Sequence, residues 1–285
     1  MALVGANVPI GKVIIAEMPI YLFAFFRFAI ASVALAALIS SEPGPRLRQL
    51  APRQWRNLVL MSLIGMVGFT ILILEGLKRT SATDAGIITA TLPATVALLG
   101  VVFFRDRLSR HQIFAIGLAI IGLVFIQATG LDSNGRSAFG NVLVIGAVIC
   151  EALFVILAKG LSTILKPVRL ALGANLVGLV LTLPLALPDL LRFDITEYTP
   201  LIIALAVWYA LAASVFALLL WYHGLPHVET ATAGLFTAAL PLTALAVSAT
   251  FLGETIGATQ LFGAALVIAA ILQGSGAFRT RSRHD

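Results

Sequence analysis

Charge and cysteine are both scarce in this chain. Only 11% of the 285 residues are Asp, Glu, Lys or Arg, whereas about a quarter are charged in a soluble domain. A single cysteine, Cys150, excludes a disulfide framework and any cysteine metal site. No Gly-Lys-Ser/Thr loop is present to cradle a phosphate. No basic segment precedes the first apolar stretch, so no cleavable signal peptide is expected. What fills the chain is apolar: 60% hydrophobic residues and a mean hydropathy of +1.03. A fold of this size cannot hide that much apolar side chain from water. The composition therefore excludes an ordinary soluble enzyme, a secreted disulfide scaffold and a disordered protein, and it leaves a polytopic membrane protein. The net charge of +6 then reads as basic cytoplasmic loops and not as a nucleic-acid surface.

A helix needs about 20 mostly apolar residues to cross a bilayer. Ten stretches meet that description, near 2–16, 20–40, 56–75, 83–104, 110–128, 139–159, 166–188, 200–222, 229–252 and 257–274. Turn chemistry separates several of them, as in Glu42-Pro43-Gly44-Pro45 and Asp132-Ser133-Asn134-Gly135. The loops are short, so no soluble domain is expected. Alternate loops are unequal in charge. One set, with the C-terminal tail, carries thirteen Lys and Arg (Arg46, Arg105, Lys166 and Arg279 among them) and the other carries five. The positive-inside rule predicts both termini in the cytoplasm.

The two halves of the chain match at a nearly constant offset. Gly76-Leu77 matches Gly224-Leu225, Ala85-Gly86 matches Ala233-Gly234, Thr89-Ala90 matches Thr237-Ala238 and Leu92-Pro93 matches Leu240-Pro241, all 148 residues apart. Asp106 matches Glu254 and Gln112 matches Gln260 at the same offset, while Lys12 matches Lys159 at 147. Two units are predicted, 1–130 and 131–285, forming one transport domain. Five spans per unit is odd, so the second unit enters the membrane from the opposite side and the repeat is inverted. Inverted repeats characterise secondary transporters, with the substrate site near the midplane between halves.

Two five-helix repeats, an Arg near the start of the second helix, and the segments Asp106-Arg107-Leu108-Ser109-Arg110-His111-Gln112 and Glu254-Thr255-Ile256-Gly257-Ala258-Thr259-Gln260 resemble the drug/metabolite transporter superfamily. The ten-helix EamA-type branch is the nearest in character, and within it the aromatic amino acid exporters of the YddG type. The resemblance covers essentially the whole chain. It implies a bacterial inner-membrane exporter of amino acids or related metabolites that carries no ATPase. Arg105-Asp106 stands where the family usually has Gly-Glu, a departure in a motif that reads as structural.

Ionisable residues within a span point to function. Glu151 lies about 18 Å into the sixth span at 1.5 Å per residue, near the midplane, as a proton carrier or an anchor for a substrate ammonium. Arg27 lies about 10 Å into the second span, placed to hold a carboxylate or to pair with Glu151. For both, the plainer reading is an internal polar contact that fixes helix packing. Lys12 and Lys159 sit at opposite faces and either draw anions towards each mouth or snorkel to the interface. Asn7 would bond substrate or a neighbouring helix. Pro93 and Pro241 stand mid-span and deprive the carbonyls of Thr89 and Thr237 of their helical donors. This predicts kinks that act as gates, with free carbonyls for an amine, or else static kinks resatisfied by the Thr hydroxyls. Trp208 and Tyr209 lie deeper than an interfacial belt, where they would stack a flat ligand or simply pack. Phe154 is three residues beyond Glu151, on the same helical face, and an acid beside a ring suits an aromatic amino acid. Trp221 and Tyr222 read as an interfacial belt. His223 and His227 are separated by Gly224 and Pro226, and no metal site is expected. No cofactor is expected either.

The function these residues favour is a secondary transporter exporting amino acids, aromatic or hydrophobic ones such as Phe, Trp and Tyr, with related small metabolites. The partners would be a small-molecule substrate and the lipid bilayer, not nucleic acid, and the protein is expected to be a monomer. The alternatives are an exporter or uptake carrier of another metabolite or a drug, a gated pore, and a membrane-embedded enzyme acting on lipid-linked substrates. The enzyme reading lacks a nucleophile and base, or an acid cluster, at either face.

Overall fold

Inside hydrocarbon a backbone must satisfy its own hydrogen bonds, which a helix does residue by residue. The computed structural model describes residues 1–39, 42, 44–45, 47–77, 79, 88–127, 138–251 and 256–274, and among them there are helices and turns and no strand. The helices are α1 (Ala2–Glu17), α2 (Ile20–Leu38), α3 (Pro52–Ser62), α4 (Phe69–Leu77), α5 (Leu92–Phe104), α6 (Arg110–Gln127), α7 (Ala138–Ser162), α8 (Pro167–Leu190), α9 (Pro200–Leu211), α10 (Ala217–Gly224), α11 (Thr230–Thr237), α12 (Ala239–Phe251) and α13 (Ala258–Gly274). A π-helical stretch, Leu63–Gly68, joins α3 to α4, and a second, Ala212–Phe216, joins α9 to α10. Among the described residues six rods are long and apolar enough to cross a membrane: Ile20–Leu38, Pro52–Ile73, Ala138–Ser162, Pro167–Leu190, Pro200–His227 and Thr230–Phe251. Three shorter apolar helices, Leu92–Phe104, Arg110–Ile126 and Ala258–Gly274, accompany them. Each of the ten stretches expected from hydropathy contains a helical segment.

Proline opens several of these helices, where its missing N–H has no helical acceptor to lose. Pro52, Pro167 and Pro200 each stand in a first turn. Thr199 caps α9 by accepting from the Ile202 N–H. The first turn of α8 is capped from a distance, because the Glu42 carboxylate accepts from the Val168 and Arg169 amides and Arg169 donates back to the Glu42 carbonyl at 2.8 Å.

Lipid gives apolar helices no hydrophobic reason to associate, so close packing at small residues holds a bundle together. The main pairings are α6 with α13, α2 with α8, α1 with α12, α4 with α7 and α5 with α11. All five join a helix before residue 130 to one after residue 137. The halves are therefore interleaved and not docked side by side. Glycine sits at these crossings. A Cβ on Gly263 would meet the Gly122 carbonyl at 2.5 Å, and one on Gly5 would meet the Leu240 carbonyl at 2.1 Å.

Among the described residues four irregularities interrupt the rods. Besides the two π stretches, the chain leaves the helix at Ala90–Thr91 before α5 and at Ala238 between α11 and α12. Ala90 and Ala238 are 148 residues apart, as are Gly68 and Phe216, which close the two π stretches. The prolines follow the breaks. Pro93 stands in the first turn of α5 and Pro241 is the third residue of α12. The expected mid-helix kinks are thus interruptions just ahead of each proline, which spares the ring a clash with the preceding turn.

Gly263→Val forces a side chain against the Gly122 backbone. We expect it to destabilise the protein by about 2 kcal/mol, typical of overpacking, seen as a lower Tm in detergent. Gly117→Ala on the same helix pair adds a methyl where nothing lies within 4 Å and should leave Tm unchanged.

Candidate functional site

A cavity of about 740 Å³ opens where the four irregularities converge. Gly65 and Met66 of the first π stretch and Ala213 and Ser214 of the second line it. So do Thr89, Leu92 and Pro93 on one side and Thr237, Ala238, Leu240 and Pro241 on the other. Most of the wall is apolar. Its charged side chains are Arg27 from α2 and Glu151 from α7, and its rings come from Phe69, Phe154, Tyr209 and Trp221.

Arg27 is held by rings. Its guanidinium carbon lies 4.4 Å from the Phe28 ring centroid and 5.9 Å from that of Tyr209, distances at which a cation is drawn to a π face. Its Nε is enclosed without a hydrogen-bond partner. Tyr209 is positioned by an edge-on contact with Phe23, 5.1 Å between centroids, and by Gly11, where a Cβ would stand 3.2 Å from its ring. Asn175 occupies the place in α8 that Arg27 occupies in α2, 148 residues on. Its amide donates to the Ala171 carbonyl at 2.8 Å and to the Ser214 carbonyl at 3.2 Å. The residue in the second half is thus committed to the backbone, and its counterpart in the first half faces the cavity.

Glu151 and Phe154 share one face of α7 and both line the cavity. Phe154 presses so closely on the first π stretch that a Cβ at Gly65 would come within 2.4 Å of it. Among the described residues the one ion pair within 4 Å joins Arg79 to Glu75, so Arg27 and Glu151 do not pair with each other. Two hydroxyls near the site serve helix backbone: Thr70 donates to the Met66 carbonyl at 2.7 Å, and Thr237 to the Gly234 carbonyl at 2.6 Å.

The structure brings together Arg27, Thr89, Pro93, Glu151, Phe154, Tyr209, Thr237 and Pro241. It leaves out others named from sequence. Asn7 is buried, and its amide donates to Leu3 of its own helix at 2.8 Å. Trp208 is 54% exposed on the outer surface, while its neighbour Tyr209 turns inward. Lys159, half-buried in the last turn of α7, donates to the Val228 carbonyl at 2.8 Å and to the Thr230 hydroxyl at 3.0 Å, away from the cavity wall. Lys12 lies on α1, and its side chain is outside the described residues. Trp221 and Tyr222 do not form a belt. Trp221 lines the cavity with its indole nitrogen enclosed and unpartnered, and Tyr222 is 1% exposed. The helical rod continues to His227, so the end that looked interfacial lies further inside. His227 Nδ1 contacts the His223 carbonyl at 2.9 Å, and no group of three His, Cys, Asp or Glu that could hold a metal occurs among the described residues.

A family model described as the EamA-like transporter family matches residues 1–128 and 138–273. The uncharacterized transporter YetK of Bacillus subtilis is 34% identical over 275 residues, covering 95% of this chain and 83% of its own. A probable terminal-alkyne amino-acid exporter of Streptantibioticus cattleyicolor is 27% identical over 86% of this chain and 80% of its own. A probable amino-acid metabolite efflux pump of Salmonella typhimurium is 28% identical over 64% of each. A solved crystal structure superposes with a TM-score of 0.79 at 14% identity, covering 96% of this chain and 93% of the other, and so shares the fold.

In a Cys150→Ser background, a water-soluble thiol reagent should label Ser214→Cys, which faces the cavity, and leave Trp208→Cys, which faces hydrocarbon, unlabelled. Mass spectrometry of the purified protein reads both.

Proposed function

The chain belongs to the EamA-like transporter family, a family of membrane transporters, and from that premise we propose that it exports amino acids and related small metabolites by alternating access around the central cavity. Aromatic and other hydrophobic amino acids are the substrates put first. One observation carries this reading: Arg27 and Glu151 face the same cavity without pairing, among the rings of Phe154, Tyr209 and Trp221. A charge left alone inside a membrane is costly. A zwitterion relieves both charges at once, its carboxylate on Arg27 and its ammonium on Glu151, and the rings suit an apolar side chain. The names of two relatives, an amino-acid exporter and an amino-acid metabolite efflux pump, support the class.

Alternating access follows from reading 1–130 and 131–285 as inverted repeats. The matched π stretches and matched breaks, each pair 148 residues apart, support that reading. Each half would then adopt the conformation of the other in turn, with Pro93 and Pro241 marking where α5 and α12 pivot. The distribution of Lys and Arg supports ten spans with both termini in the cytoplasm, and on this reading the protein works as a monomer in the bacterial inner membrane. The cavity is roomier than one amino acid needs, which favours a second reading, a carrier of a larger metabolite or drug.

Liposomes holding the pure protein should take up labelled phenylalanine or tryptophan saturably, with competition from other aromatic amino acids. Arg27→Gln and Glu151→Gln should each lower kcat/KM by about 10-fold or more, the loss expected on removing one hydrogen bond to a charged group. Saturable uptake left unchanged in both variants would overturn the zwitterion reading. Absence of uptake by the native protein would send the search to the larger metabolites. If Glu151 also carries a proton, a pH gradient should accelerate native transport, and Glu151→Gln should abolish that acceleration.

A further inference from the structure

A second polar cluster lies at the Lys- and Arg-rich end of the bundle, away from the cavity. Lys159, near the end of α7, donates to the Val228 carbonyl at 2.8 Å and to the Thr230 hydroxyl at 3.0 Å, and its ammonium stands 5.6 Å from the Phe104 ring. The Thr230 amide in turn donates to the Asp106 carboxylate at 3.3 Å. Gln112 donates to the Glu229 carboxylate while its carbonyl accepts from Ser109, the Ser109 amide lying at 2.9 Å. Phe104, Asp106 and Gln112 come from the first half of the chain, and Lys159, Glu229 and Thr230 from the second. Thr230 is about 10 Å along α11 from Thr237 on the cavity wall, and Lys159 about 12 Å along α7 from Glu151. Between cluster and cavity lie the fully buried Val96, Val155, Ala158 and Ala233. This end of the pathway is therefore blocked by an apolar layer and tied shut beyond it.

We propose that the two hydrogen bonds that join the halves here, from the Thr230 amide to Asp106 and from Gln112 to Glu229, with Lys159 bracing the Thr230 side, form a latch that holds this end closed and must part before the cavity opens to that side. Neither the family match nor the cavity assigns the network a role. The proposal rests on the transport reading only in that the end opens at all. Hydrogen bonds suit a latch better than further apolar contact would. They break all at once over a displacement of an ångström or two, whereas apolar layers slide.

The test uses a thiol reporter, Val96→Cys in a Cys150→Ser chain reconstituted in one orientation, alkylated by a membrane-impermeant maleimide added from each face in turn. With the latch intact, labelling from the basic face should be slow. Asp106→Leu, which removes the acceptor of one cross-half bond, should speed it by about 10-fold or more, Gln112→Leu, which removes the donor of the other, should also speed it, and Asp106→Glu should restore protection. The double variant Asp106→Leu/Gln112→Leu should exceed Asp106→Leu alone only slightly, because both bonds serve one network. An unchanged rate in a monodisperse Asp106→Leu protein overturns the latch, and so does equal acceleration from both faces. If Asp106→Leu fails to fold, Gln112→Leu decides by the same readout. Labelling needs no substrate, so failed amino-acid uptake and a failed latch are told apart.

Discussion

Hydrocarbon tolerates no backbone polar group and no charge without a partner, and the architecture follows from that intolerance. Among the described residues, helix is the form taken by every rod long enough to cross the membrane. Where helix is interrupted, at Leu63–Gly68, Ala90–Thr91, Ala212–Phe216 and Ala238, the interruption faces the shared cavity or the residues just beside it. Non-helical backbone at membrane depth persists only where protein or water can meet it. The same rule accounts for the charges. Arg27 and Glu151 are tolerable within spans because they turn to the cavity, and Lys159 because it is bonded to a carbonyl and a hydroxyl at a helix end.

Interleaving of the halves gives the cavity its walls. Each main helix pairing crosses between them, and glycines such as Gly5, Gly122 and Gly263 let the backbones approach to contact distance. In such a bundle neither half can move without repacking against the other. Much of the wall is matched in kind across the repeat: Thr89 with Thr237, Leu92 with Leu240, Pro93 with Pro241. The charges are not matched. Asn175 stands opposite Arg27 and serves a π-stretch carbonyl. Val4 stands opposite Glu151 at the 147-residue offset that relates Lys12 to Lys159. On the proposed function, matched backbone supplies the movement and unmatched side chains supply the recognition.

Hydropathy marked out the helical rods, because apolar run length is dictated by bilayer thickness. Glu151 with Phe154 could be placed on one face, because three residues nearly complete a helical turn. Other readings failed for physical reasons. Trp208 and Tyr209 are neighbours on a rod that is apolar all round, and such a rod carries no stripe to say which face is inward. Trp221 was counted as terminal because the rod seemed to stop near Tyr222, and it runs on to His227. Lys159 finds its acceptors on the segment that opens α11, some seventy residues away, and no local pattern predicts that meeting.

The sequence by itself determined the solvent, the helical class and the two proline-marked places where helices are weak, since these depend on composition, run length and the chemistry of single residues. Only the tertiary structure decided which side chains share the cavity. Inward and outward faces of a lipid-embedded helix are almost equally apolar, and what separates them is the fit of neighbouring helices at glycine contacts far apart in the chain.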